Sequence, residues 1–324
     1  MDFINSHINH ILVIGGLMGL FLGGEALIRG AVAVAESLKI PKLIIGLTII
    51  GFGTSMPELL VSLQSVQQGV PDVAIGNVVG SNIANILLIL GFGALLNPIA
   101  TSARNIRREV LVMLAVSGGL VWLAWSGAIS QQAGLIMAGA LLAYLLLIYL
   151  LEGPKTADAA LPKSSLSPWV AIIWIIAGLA ALIIGADCLV RGATAIARDF
   201  GISDAVIGLT LIAVGTSLPE LTVTILSSIR RQNEVALGNV LGSNIFNILG
   251  ILGITAALHP LTIAPRFLQV DLPLMIAAAV GLTLLILRGK PIGRLTGLLF
   301  LLVYAGYTLW LVKGPALLDV LRLS

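Results

Sequence analysis

The chain has 324 residues, 58% of them hydrophobic and only 10% charged, with a mean hydropathy of +1.08. That composition excludes a soluble globular domain, and apolar runs of about 20 residues along the whole chain are the mark of membrane-spanning helices. The net charge of +3 and pI near 9.2 fit basic loops facing the cytoplasm and call for no nucleic-acid partner.

In chain order the runs predict spans at 9–34, 42–66, 73–97, 108–126 and 132–151, then 169–196, 204–229, 235–258, 270–287 and 295–313. They are too long and too uniformly apolar for barrel strands. The first run has no basic stretch before it and no small-residue cleavage site after it, so it reads as a retained helix. Cys188 is the only cysteine, so no internal disulfide can form. The hydrophilic stretch "EGPKTADAALPKSSLSP" at 152–168 separates two groups of five spans. The expected organisation is a first repeat at 1–151, a cytoplasmic linker at 152–168 and a second repeat at 169–324.

The two groups repeat. A shift of 162 lays the second on the first without a gap from about residue 24 to 113. "GTSMPE" at 53–58 meets "GTSLPE" at 215–220, and "GNVVGSNIANIL" at 76–87 meets "GNVLGSNIFNIL" at 238–249. Glu109 and Met113 meet Asp271 and Met275. Five spans per half is odd, so the second half must enter the membrane from the other side. With the N-terminus outside, inside loops carry 12 Lys/Arg and outside segments 5, with Arg29 left in the first span. The positive-inside rule therefore predicts both termini outside. Matched loops carry opposite charge habits: Arg230 and Arg231 align with Gln68 and Gly69, and Arg107 and Arg108 with Gln269 and Val270. The fold class is an all-α polytopic membrane protein, ten transmembrane helices as two inverted five-helix repeats. Secondary transporters use this architecture, with substrate bound near the midplane where broken helices meet.

The repeated motif places a proline and an acid inside an apolar run. Pro57 and Pro219 lack the backbone N–H and should kink or break their helices. Carbonyls around Gly51 and Ala213 should then be loosened, which is tolerated at membrane depth only against protein or a polar cavity. Glu58 and Glu220 follow Thr54 and Thr216 by four residues, a spacing that shares a helix face. Ser81 and Asn85 are again four apart, as are Ser243 and Asn247, with Asn77 and Asn239 one turn earlier. With Ser55 and Ser217, these residues form a set of hard oxygens. Such a set suits Na⁺, Ca²⁺ or Mg²⁺ and not zinc or copper. Mg²⁺ holds its waters tightly and fits an all-protein cage less well than Ca²⁺.

Any one Thr or Asn in a membrane helix can be interhelical glue. The acids resist that reading. A carboxylate at the bilayer centre costs roughly 2.5–3.5 kcal/mol on the insertion scale, and neither has a basic neighbour along its helix. Two acids at matching places call for a cation or a proton. By contrast, Glu25/Arg29 and Asp187/Arg191 are spaced i,i+4 with the acid first, which predicts local ion pairs. A hydrolytic dyad is the rival from another class. No GxGD sequence lies near either glutamate, and ringed hydroxyls and amides suit ion coordination better than peptide hydrolysis.

"GTSMPELLVS…GNVVGSNIANI" and "GTSLPELTVT…GNVLGSNIFNI" resemble the paired repeats of the calcium/cation antiporter superfamily, most closely its prokaryotic sodium/calcium exchanger branch. The resemblance covers essentially the whole chain. The proton-coupled branch typically carries a GN-A-(T/A)-E type signature in place of GTS-x-PE, and this chain lacks it. The resemblance implies a core of spans 2, 3, 7 and 8 against which spans 1 and 6 move. It implies that Glu58 and Glu220 are carboxylates shared by Ca²⁺ and Na⁺. It gives Thr54, Ser55, Ser81, Thr216, Ser217 and Ser243 oxygen roles, chiefly toward Na⁺, and the carbonyls of Gly51 and Ala213 the same. Some members carry an aspartate where this chain has Asn247. With Asn85 and Asn247 both neutral, the site holds two formal charges, matching one Ca²⁺ or two Na⁺ and arguing against K⁺ coupling. The linker is too short for the large Ca²⁺-sensing region of animal exchangers. The implied activity is Na⁺/Ca²⁺ exchange by alternating access in the inner cell membrane, with no enzyme activity and no cofactor. The partners are the two ions and the lipid bilayer. A proton-coupled antiporter, or one for another divalent cation, is the alternative.

Overall fold

In lipid no water satisfies the backbone, so long apolar runs close their hydrogen bonds internally as helices. The computed structural model describes residues 2–38, 40–101, 104–152, 166–200 and 215–322. Its helices follow the predicted spans. They are α1 (Asp2–Leu38), α2 (Lys42–Thr54), α3 (Met56–Gln67), α4 (Pro71–Leu96), α5 (Arg104–Trp125) and α6 (Gln131–Glu152). The second half gives α7 (Pro168–Asp199), α8 (Leu218–Ile229), α9 (Asn233–Leu258), α10 (Asp271–Leu287) and α11 (Arg294–Arg322). The second predicted span is thus two helices, α2 and α3, meeting at 41°. Span seven contributes α8, while its first part, 204–214, lies outside the described residues, and with it Ala213. The chain is a multi-pass membrane protein.

Helices α4 and α9 form the centre. In their apolar windows 78% and 83% of residues are buried, against 11–39% for the other long helices. Around them one apolar core gathers Val78, Ile83, Ile89, Val240, Ile245 and Leu252. A second, separate core joins Leu27, Ala31 and Leu182 to Ile50 and Val223, so the α1/α7 pair packs on the rest through its own contact zone.

Short loop pairings prove the inversion. Residues Ala128–Ile129 (β1), between α5 and α6, pair antiparallel with Leu261–Thr262 (β2), between α9 and α10. Ile99, between α4 and α5, exchanges backbone bonds of 2.9 and 3.0 Å with Ile292, between α10 and α11. Each pairing joins the loop after one half's third span to the loop after the other half's fourth. Those loops lie on opposite faces within a half, so they meet only if the halves are inverted.

Helices α1 and α7 share the most extensive helix–helix interface among the described residues. Glycines 16, 23 and 30 on α1 match 178, 185 and 192 on α7 under the shift of 162. A Cβ at Gly185 would stand 2.7 Å from Leu20 N and 2.9 Å from Gly16 O, and one at Gly178 would stand 2.6 Å from Leu27 N. The two backbones therefore touch directly, the close approach that small residues permit in membranes. The predicted ion pairs are present: Glu25 holds Arg29, and Asp187 lies 2.9 Å from Arg191. Glu25 also pairs with Arg230 in the turn after α8, tying α1 to the central bundle. Gln68 occupies the position matching Arg230, so the other half has no such tie.

Gly185→Leu should lower the thermal unfolding temperature in detergent, at a cost of about 1–3 kcal/mol, because only backbone could yield to it. Gly139→Leu, where a Cβ meets nothing within 4 Å, should leave that temperature nearly unchanged.

Candidate cation site at the centre of the bundle

The break in each repeated motif comes at its serine. Ser55 has φ −85° and ψ 6°, and Ser217 has φ −88° and ψ 7°. A new helix starts one residue later with the proline in its first turn, where a missing N–H costs nothing. Glu58 and Glu220 therefore sit in the first turns of α3 and α8. There the partial positive charge of a helix N-terminus favours an anion.

Both acids are fully enclosed, Glu58 at 0% exposure and Glu220 at 1%. Their hydroxyl partners come from the opposite half. Ser217 donates to Glu58 Oε1 at 3.2 Å, and Ser55 donates to Glu220 Oε1 at 3.0 Å. Thr216 lies beside Glu58, and Thr54 beside Glu220. The i,i+4 spacing predicts that each motif's threonine and acid face one way; the serine between them reaches across, and each motif's serine hydroxyl serves the other motif's carboxylate.

The remaining predicted residues surround this crossing. Ser81 Oγ stands 3.4 Å from Ser217 Oγ. Ser243 Oγ reaches the Gly51 carbonyl at 3.4 Å. That carbonyl is loosened and not free: it also accepts from Ser55 N–H at 3.3 Å and Thr54 Oγ1 at 3.4 Å, all long bonds. Asn85 and Asn247 are buried and each begins a π-helical segment, Asn85–Ile89 and Asn247–Leu252. These wider turns interrupt the i→i−4 ladder and are frequent at functional sites. The first segment packs on α8, which carries Glu220, and the second on α3, which carries Glu58.

Two sets of residues do more than the sequence suggested. Asn77 donates to the Glu58 carbonyl and to Ser62 Oγ, both at 3.0 Å. Asn239 donates to the Glu220 carbonyl at 3.2 Å and Thr224 Oγ1 at 3.0 Å, and accepts from Thr54 at 3.2 Å. These asparagines pin the backbone under each acid. Asn82 and Asn244, singled out by no spacing argument, join α4 to α9. Their identity across both halves, within "GSNI", was the available signal.

Several buried oxygens at the crossing have no hydrogen-bond partner. They are Glu58 Oε2, Glu220 Oε2, and Oδ1 of Asn85, Asn244 and Asn247. Buried polar atoms are nearly always satisfied, and each orphan costs about 1–3 kcal/mol. None of the ion pairs among the described residues includes Glu58 or Glu220. Among the described residues no group of three His, Cys, Asp or Glu side chains is placed to hold a metal ion either. The site is two carboxylates set in neutral oxygen, chemistry suited to a hard cation.

The sequence profile described as sodium/calcium exchanger protein matches residues 8–150 and 170–313. The chain belongs to the sodium/calcium exchanger family. This is a family of membrane transporters, and its two matched blocks coincide with the two halves of the fold. The chain is 40% identical over 307 residues to the putative antiporter CaxA of Alkalimonas amylolytica, covering 92% of this chain and 96% of the relative. It is 32% identical to the sodium/calcium exchanger MaX1 of Methanosarcina acetivorans, covering 93% and 97%. Among solved structures it superposes on the sodium-calcium exchanger NCX_Mj, soaked with Na⁺ and Sr²⁺, with TM-score 0.81 and 31% identity. That match covers 92% of this chain and 96% of the other.

Asn239 makes three side-chain contacts under its acid and Asn77 two. Asn239→Ala should therefore lower thermal stability in detergent more than Asn77→Ala, each lost bond counting for about 0.5–1.5 kcal/mol.

Proposed function

We propose that this exchanger-family protein moves Na⁺ and Ca²⁺ in opposite directions across the inner cell membrane, by alternating access to the Glu58/Glu220 cluster. The observation that carries this reading is the crossed pair of buried carboxylates, each serviced by the other half's hydroxyls and each with an unpartnered Oε2. Ca²⁺ takes about 6–8 oxygens in a flexible shell. Glu58 and Glu220 supply its charge, with Asn85 and Asn247 beside them. Thr54, Ser55, Ser81, Thr216, Ser217, Ser243 and the carbonyls of Gly51 and Ala213 complete the oxygen set, chiefly for Na⁺.

Two formal negative charges match one Ca²⁺ or two Na⁺, so the ions compete for one cluster. Crossing without cargo strands two buried carboxylates, which opposes leak. Rigid-body rocking of one group of helices on the other then changes the open face. Both termini lie outside, by the distribution of Lys and Arg. With the usual inward sodium gradient the direction is Na⁺ in and Ca²⁺ out.

The test is Ca²⁺ uptake into proteoliposomes loaded with Na⁺, beside K⁺-loaded and pH-jumped controls. Uptake should require the outward Na⁺ gradient. Uptake driven by a proton gradient alone would instead make the glutamates proton carriers. No Ca²⁺ flux under either gradient would sink Ca²⁺ as the cargo. Glu58→Gln and Glu220→Gln should each bring flux to the background of protein-free vesicles while the purified protein keeps its helical content. Near-normal flux in either variant would refute the shared carboxylate site.

A further inference from the structure

Asn82 lies on α4, one turn before the π-helical segment, and is 1% exposed. Both ends of its amide are committed to α9. Its Oδ1 accepts from Asn247 Nδ2 at 3.0 Å, and its Nδ2 donates to the Asn244 carbonyl at 3.3 Å. An amide carries its oxygen and its NH₂ on opposite sides of one carbon, so fixing one end aims the other. With Nδ2 of Asn247 held by Asn82, Asn247 Oδ1 is turned elsewhere. It is buried, has no hydrogen-bond partner, and begins a segment packed on the helix of Glu58. The flipped amide would present two N–H donors there, which a cation rejects.

We infer that Asn82 is a positioning residue for ion binding: its side-chain oxygen locks the Asn247 amide so that Asn247 offers oxygen to a cation held between Glu58 and Glu220. The role rests on the ion-binding reading of the cluster. It belongs to one half only. Asn85, the counterpart of Asn247, has neither amide atom engaged, and Asn244, the counterpart of Asn82, donates to the Val240 carbonyl at 3.0 Å. A carboxylate at position 247 would need no such lock, because both of its ends are oxygen. Asn82 matters because position 247 is an amide.

That asymmetry supplies the test. Ca²⁺ binding is measured by isothermal titration calorimetry on the purified full-length protein, on Asn82→Leu, on Asn247→Asp and on the double variant. Asn82→Leu should weaken Ca²⁺ binding about tenfold in the natural background, the scale of one oxygen contact exchanged for an unsatisfied donor. In the Asn247→Asp background the same substitution should change binding less than about twofold, a coupling that a double-mutant cycle reads directly. Thermal unfolding is followed on all four proteins, and Asn82→Ala replaces Asn82→Leu if the latter does not fold. Equal losses of affinity in the two backgrounds would mean that Asn82 only packs α4 on α9, and no loss in the natural background would also overturn its role. If the unmodified protein does not bind Ca²⁺, the ion-binding reading falls and the role of Asn82 with it. If it binds and the cycle is flat, only Asn82 falls.

Discussion

Two carboxylates enclosed in the middle of an apolar bundle set the terms for everything around them. A charge taken from water needs a partner, and the protein pairs Glu58 and Glu220 with no opposite charge among the described residues. It supplies dipoles: serine hydroxyls at 3.0 and 3.2 Å, helix N-termini created by the break before each proline, and asparagines holding the backbone beneath. These groups favour the charged carboxylates without cancelling their charge. On the proposed reading, what is left uncancelled is the attraction for a mobile cation.

The duplication is what makes the dipoles available. Each motif bends its helix at the serine, and with the halves inverted each serine hydroxyl meets the other motif's acid. Neither half holds a complete site, so the two halves must meet at α4 and α9 to make one. The glycines on α2 and α9 serve that meeting: a Cβ at Gly242 would lie 2.4 Å from the Leu47 carbonyl oxygen.

The local features were legible in the sequence because local rules govern them. The spans, the register of the repeat, the broken second span and the pairs Glu25/Arg29 and Asp187/Arg191 all follow from hydropathy, proline and i,i+4 spacing. The exchange of serine hydroxyls between Glu58 and Glu220 was not legible, because helix-face spacing compares residues of one helix and these bonds join residues 165 and 159 apart. The pairing of Asn82 with Asn247 was hidden in the same way, since it too joins residues 165 apart. The link from Glu25 to Arg230 was half visible: the arginines stood out as topology markers, and no local spacing assigned one of them a partner on α1. The glycines at 16, 23 and 30 and their matches in α7 were in plain view. Only the structure shows backbone against backbone along that seam.

The seam has a mechanical consequence. Locked backbone to backbone, α1 and α7 behave as one thick double rod, and much of its outer face is apolar and exposed, including Ile14, Met18, Phe21, Ile173, Ile176 and Ile184. That face meets acyl chains. On the proposed alternating-access reading, any displacement of the rod would shear lipid, so the viscosity and thickness of the bilayer would act as a load on it, and the membrane would become part of the machine's friction.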